Sequence, residues 1–378
     1  MKTSVLTSTI MSVSLLISYG GEKLSAQTAA KDEDAWMQVP QDDVYSRAAP
    51  GTYNVPPELK HFRILSSTPL QISNTEEVGY DIRNWQSDPS RIICHGGRYH
   101  VWMIDCHVSR IRRERKGRPA NGLSRIRYLT SEDGKTWQSV GFIPLGPKGS
   151  AYDVEIEQAN VFMHEGRFYL FSEGFTTNRE KYKSMYAGII CLTADAPEGP
   201  WKQVGDVMLR PANDGRSFDD TAVLNPRHVF FQGKWFMYYK GKMGRMPTRN
   251  GVAIADSLTG PYKRYENNPL LFGHGHFAWR YKHGIIMMMF DANYEKNYSR
   301  LLWTEDGIRF VPLAESKGLF LFGSLYCPDD PLCGKPVTDK PTTKYWGLHN
   351  VYHRRTTGWD IYRIKWSFAP DPAPSPSR

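Results

Sequence analysis

The sequence predicts an all-β chain, a five-bladed β-propeller with an irregular N-terminal arm, and three observations predict it. The first is a hairpin unit that begins with a polar residue, runs to a glycine turn and returns rich in aromatics. It occurs as Ser87-Asp88-Pro89 through Gly97-Arg98-Tyr99, as Glu157-Gln158-Ala159 through Gly166-Arg167-Phe168, and as Asn225-Pro226-Arg227 through Gly233-Lys234-Trp235. Asp88 precedes Gly97 by the same distance as Glu157 precedes Gly166, and the step from Asn225 to Gly233 is one shorter. The second is a turn signal that follows a strand and ends in an aromatic. Its copies are Ser131-Glu132-Asp133-Gly134-Lys135-Thr136-Trp137, Ala194-Asp195 to Trp201, Ala255-Asp256 to Tyr262, and Thr304-Glu305-Asp306-Gly307-Ile308-Arg309-Phe310. The third is the dominance of short runs of Val, Ile, Tyr, Phe and Trp from Ile72 onward. Repeated hairpins at a wide, regular period mark a propeller.

In chain order, Lys2, the apolar run Val5 to Tyr19 and the small residues Leu24-Ser25-Ala26 have the layout of a secretory signal over 1–26. That predicts a periplasmic or secreted protein with no membrane segment after cleavage; an uncleaved anchor is the alternative. Residues 27–71 are polar and punctuated by proline, which reads as an arm or linker with a short helix near Asp32 to Met37. The propeller is expected over 72–368, with blades around Asp88, Glu157, Asn225 and His274. A fifth runs from Tyr345 to Phe368, completed by the N-terminal strand near Ile72. One such domain explains the length better than two, and the Pro/Ser-rich 369–378 reads as a disordered tail.

The formal net charge of +9 is moderate, and its densest source is Arg110-Ile111-Arg112-Arg113-Glu114-Arg115-Lys116-Gly117-Arg118. This run is either a solvated loop or a contact for an anionic partner such as a sulfated or uronic glycan. Nucleic acid is not an expected partner, because no recognised binding motif is present. Five cysteines are too few for a disulfide scaffold. Cys327 and Cys333 could close a small ring, and Cys94 and Cys191 fall in apolar strands as buried thiols. No Cys/His spacing suits zinc, so neither a metal nor a cofactor is implied, and a bound ion in the funnel is left open.

In a propeller the starts of the inner strands gather around the axis, so the polar residues there carry the functional weight. Asp88 is the first; a carboxylate before proline also serves simply to begin a strand. Asp219 and Asp220 lie just before the third inner strand, and as neighbours on an extended chain only one of them can face the axis. His274 and His276 open the fourth unit, and imidazole titrates near working pH. A carboxylate facing an acid suits glycoside cleavage, and a gap of roughly 6.5–9.5 Å between them gives inversion.

The segment Ser87-Asp88-Pro89 through Gly97-Arg98-Tyr99, the turns Glu198-Gly199-Pro200-Trp201 and Leu258-Thr259-Gly260-Pro261-Tyr262, and Gly273-His274 with Trp279 and Gly284 downstream resemble glycoside hydrolase family 43 and especially family 117. The resemblance spans roughly Ile72 to Phe368 and rests on short motifs. It implies removal of terminal 3,6-anhydro-galactose from red-algal oligosaccharides, with Asp88 as base, His274 as acid and Asp219 or Asp220 as the positioning carboxylate. Glu157, His276, Asn225, Arg91 and Trp279 complete the expected set as substrate contacts. The chain departs from the pattern at Asn225-Pro226, where Asp-Pro is usual, and at Gly275, where an acid is expected. An arabinosidase or xylosidase with Glu157 as acid, a noncatalytic carbohydrate-binding propeller and a protein-interaction propeller are the alternatives.

Overall fold

The computed structural model describes residues 46–73, 85–106, 124–244, 246–290, 298–317, 323–327, 330–334, 345–353 and 358–368. The expected signal segment, the helix near Asp32, the basic run Arg110 to Arg118 and the tail all lie outside them.

Short antiparallel sheets form five blades. Two N-terminal strands, β1 (Arg63–Pro69) and β2 (Gln71–Ser73), belong to different blades. Blade I contains β3 (Trp85–Ser87), β4 (Ile93–His95), β5 (Arg98–Cys106), β6 (Ser124–Ser131) and β7 (Thr136–Phe142). Blade II is β8 (Glu155–His164), β9 (Arg167–Phe175), β10 (Tyr186–Ala194) and β11 (Lys202–Gln203). Blade III is β12 (Ala222–Phe231), β13 (Lys234–Lys242), β14 (Arg249–Ala255) and β15 (Lys263–Arg264), with β16 (Leu271–Phe272) also on β14. Blade IV is β17 (Gly275–Tyr281), β18 (Gly284–Phe290), β19 (Tyr298–Thr304) and β20 (Val311–Lys317). Blade V is β21 (Gly323–Tyr326), β22 (Tyr345–His353), β23 (Gly358–Ser367) and, from the far end of the chain, β1.

The fifth blade is therefore completed by β1, not by the strand around Ile72. Arg63 pairs with Ser367 and Pro69 with Tyr362, while β2 adds in parallel to β7 of blade I. Nor is the described part of the arm, from Ser46 on, a loose linker. Ser46 and Ala48 hydrogen-bond Leu270 and Phe310, and Leu59 is fully buried in a short turn of helix whose Glu58 accepts from the Tyr281 hydroxyl at 2.9 Å. Apolar clusters fill the gaps between successive blades: Trp102, Tyr128 and Phe168 between I and II, Phe171 and Trp235 between II and III, Val229 and Met287 between III and IV. Burial on this scale is the main force holding the sheets together.

The recurring turns are structural, and they divide into two kinds. Asp133 accepts from the backbone of Lys135 (2.7 Å) and Thr136 (2.9 Å), and Asp306 from Ile308 and Arg309 (both 2.8 Å). Asp195 and Asp256 do not close their turns. They point outward to Arg167 (2.9 Å) and Lys234 (2.6 Å), where Gly-Pro supplies the bend instead. All five cysteines are buried and none is in a disulfide. Cys327 and Cys333 form no ring: both face the buried Arg91 guanidinium, and their thiols stay apart.

Candidate functional site

Three blades carry the same backbone irregularity near the axis. Asp88, Gln158 and Asn225 hold φ of 53°, 53° and 51°, a left-handed conformation uncommon for residues with a side chain. Around each, two residues oppose one on the neighbouring strand, which is a β-bulge. Gln158-Ala159 falls between the pairs Glu157–Glu173 and Asn160–Phe171, and Asn225-Pro226 between Leu224–Lys240 and Arg227–Tyr238. Asp88-Pro89 falls between Ser87–Ile104 and Ser90, whose N–H donates to the Trp102 carbonyl at 2.6 Å.

The counterpart of Asp88 is therefore Gln158, not Glu157. The equal spacing in sequence misleads because blade I has one extra residue before its turn. It is absorbed at Arg91-Ile92, between Ser90 and the Ile93–His100 pair. That excursion sends Arg91 into the core, fully buried, where it pairs with Asp330 and donates to the carbonyls of His228 (2.9 Å) and Ala278 (3.2 Å). Arg91 is thus committed to the scaffold and is not a sugar contact.

Asp88 is 8% exposed. The Asn350 side-chain amide of blade V donates to its carboxylate at 2.7 Å, and the Asp88 N–H donates back to the Asn350 oxygen at 3.0 Å. Burial raises the carboxyl to about 6, against the pull of Asn350, Lys240 and Arg227, and Glu157 pushes the same way as burial. A group so poised is mostly ionised at neutral pH yet basic enough to take a proton.

Besides Asn350, two charged members of this cluster were absent from the sequence reading. Glu173, 4% exposed, stands directly across from Glu157 on β9 and accepts the Asn225 N–H at 3.1 Å. Burial raises its carboxyl strongly, Lys240 opposes this, and Glu157 and Asp88 add to it. Lys240, equally buried, occupies the matching place on β13 opposite Leu224. Ile104, Glu173 and Lys240 each lie seven residues beyond the turn glycine of their hairpin, so aligning the repeats on that glycine would have found them. Arg227 completes the charge balance; burial draws its guanidinium down to about 10, which leaves it cationic.

His274 sits just before β17, fixed by the carbonyl of Gly273, which accepts from Asn250 (3.0 Å) and Thr248 (3.1 Å). It keeps part of its surface open. Burial, Lys240 and Lys242 hold its imidazole well below the usual range. His276 is enclosed instead: its Nδ1 meets Asn250 at 2.8 Å, and burial brings it to about 3. Trp279 is a core residue beside Phe277 and Trp366. Neither presents itself to a ligand. Asn225 is wholly buried, and its side-chain amide has no hydrogen-bond partner among the described residues.

Asp219 and Asp220 do not join this group. Asp219 accepts from the Tyr239 hydroxyl (2.9 Å) and Arg264 (2.8 Å), beside a groove of about 550 Å³ lined by Arg216, Arg249 and Asn268. Tyr239 and Lys240 are successive residues of a strand, so they point to opposite faces. Asp220 accepts the Gly215 N–H at 2.6 Å in its own turn. Among the described residues no group of three or more His, Cys, Asp and Glu side chains is arranged to hold a metal ion.

No protein-family model matches the sequence, and no curated protein does. Solved structures do. A family 117 glycoside hydrolase of the marine bacterium Zobellia galactanivorans superposes with a TM-score of 0.65 at 22% identity, covering 83% of this chain and 92% of that one. The chain has the fold of the propeller glycoside hydrolases. The catalytic domain of a family 62 α-L-arabinofuranosidase from Coprinopsis cinerea matches at 0.54 and 12% identity, over 81% and 98% of the two chains. Another glycoside hydrolase matches at 0.56 and 10%, over 94% and 100%.

Proposed function

We propose that this propeller is a glycoside hydrolase in which Asp88 is the general base and His274 the proton donor. The observation that carries the reading is the placing of Asp88: a buried, raised carboxyl at an inner-strand bulge, held by Asn350 and faced by Lys240 and Arg227. Asp88 takes a proton from the water that attacks the anomeric carbon as the bond to the leaving oxygen breaks. His274 supplies the proton to that oxygen, a single displacement with inversion. Burial first, and then the neighbouring Lys240 and Lys242, keep its imidazole neutral. An anionic group on the sugar, seated among those ammonium groups, offsets their charge and lets the ring take up a proton from solvent. The expected substrate is an anionic oligosaccharide attacked from its end, with 3,6-anhydro-galactose as the residue released in the family 117 resemblance. The basic run Arg110 to Arg118 fits the same class, and the leader at 1–26 fits a periplasmic or secreted enzyme.

A second reading, with Glu157 as proton donor, is favoured by its cross-strand pairing with Glu173, whose carboxyl burial raises. The test is a screen of algal and plant oligosaccharides with product analysis, followed by His274→Asn and Glu157→Gln on the substrate found. Loss of the leaving-group proton slows poor leaving groups far more than activated aryl glycosides, and the variant showing that pattern identifies the donor. Glycan binding with no release of sugar by wild type would replace the enzyme with a carbohydrate-binding propeller.

A further inference from the structure

The three bulges offer the axis only one acid, Asp88; the matching places hold the neutral Gln158 and Asn225. The second acidic element comes from elsewhere. Glu157 and Glu173 are cross-strand partners immediately before the blade II bulge, so their Cβ atoms lie within about 5.5 Å of one another and their side chains leave the same face of the sheet. Both are nearly enclosed. The charged groups that act on Glu173 are Lys240 from β13, Arg227 from β12, Glu157 from β8 and Asp88 from blade I, and the polar contact is the Asn225 N–H. Three ionised carboxylates this close would repel one another in a site nearly closed to water, which is costly.

We propose that Glu157 and Glu173 share one proton, with the Glu173 carboxyl donating to Glu157, so that the site rests with two carboxylates facing Lys240 and Arg227. Glu173 is then a positioning residue: its proton spares Asp88 a second negative neighbour and keeps it ionised as the base. The inference builds on the proposed reaction, yet the proton can be sought without any substrate.

Glu173→Gln fixes the site in the protonated arrangement. In wild type, burial lifts Glu173 from the ordinary carboxyl range to about 8, so the unfolded chain gives up this proton first. Folding stability therefore falls as pH rises from that ordinary range toward 8, then levels off. The variant lacks this loss. Thermal unfolding at a series of pH values is expected to show Glu173→Gln gaining on wild type progressively between pH about 5 and 8. Parallel curves would overturn the shared proton. Should the variant not fold, infrared spectra of wild type alone decide the matter. A carboxylic-acid C=O band that persists at neutral pH and titrates on the alkaline side supports the pair; its absence at neutral pH refutes it. On any cleaved oligosaccharide, wild-type kcat/KM should step down to a lower plateau as Glu173 ionises, because the new charge lies beside the base and an anionic substrate, and Glu173→Gln should lose that step. A residue of purely structural importance would lower the whole profile and leave its shape unchanged.

Discussion

Asp88 combines a left-handed backbone with a buried carboxylate, and both bear on how it is tested. Asn tolerates positive φ as well as Asp does and keeps an oxygen for the Asn350 amide. Asp88→Asn is therefore expected to fold normally and to lose hydrolysis; unchanged turnover would remove Asp88 as the base. Because burial raises its carboxyl from 3.8 to about 6, the unfolded chain ionises first and the native state loses stability as pH climbs through that window. The cost is on the order of 3 kcal/mol. Asp88→Asn should thus unfold at a higher temperature than wild type at pH 7, and at a similar one near pH 4. In wild type the same titration sets an acid limb, with kcat/KM falling below pH 6 as the base is protonated.

At the scale of the element, bulges and turns divide the work. The Arg91–Asp330 pair exists because blade I carries one residue more than its neighbours, and it ties that blade to the loop after β21. Asp330→Asn strands a buried guanidinium, and a loss of about 3–5 kcal/mol in denaturant unfolding is expected. Asp133→Ala removes turn hydrogen bonds at the surface, costing about 1–2 kcal/mol with turnover unchanged. The blades were legible in the sequence because the glycine turn and the aromatic return strand recur wherever a hairpin must pack on its neighbour. Asp88 and His274 stood out because polar residues at strand starts contrast with apolar runs. Glu173 and Lys240 did not, since each sits inside an aromatic-rich strand where the local pattern says core. Asp219-Asp220 drew attention by its doubled charge, which Tyr239 and the Gly215 turn absorb. Spacing alone could not tell Gln158 from Glu157, because a bulge shifts register without marking the sequence.

Over the whole molecule, the ring is shut by pairing β1 with β23, so one sheet holds strands from both ends of the chain. A chain beginning after Pro69 leaves β23 with a bare edge, and bare edges invite association. Such a truncation is expected to lose its sharp unfolding transition and to aggregate on size-exclusion chromatography, whereas removal of residues 1–26 should do neither. The same closure reaches Asp88, whose amide partner Asn350 belongs to blade V. Ribosomal synthesis delivers the aspartate early and the asparagine near the end, so a nascent chain holding four blades has its base without the group that orients it. Hydrolytic competence would then arise only once the final sheet is in place, and partly made copies would meet glycans as inert passengers.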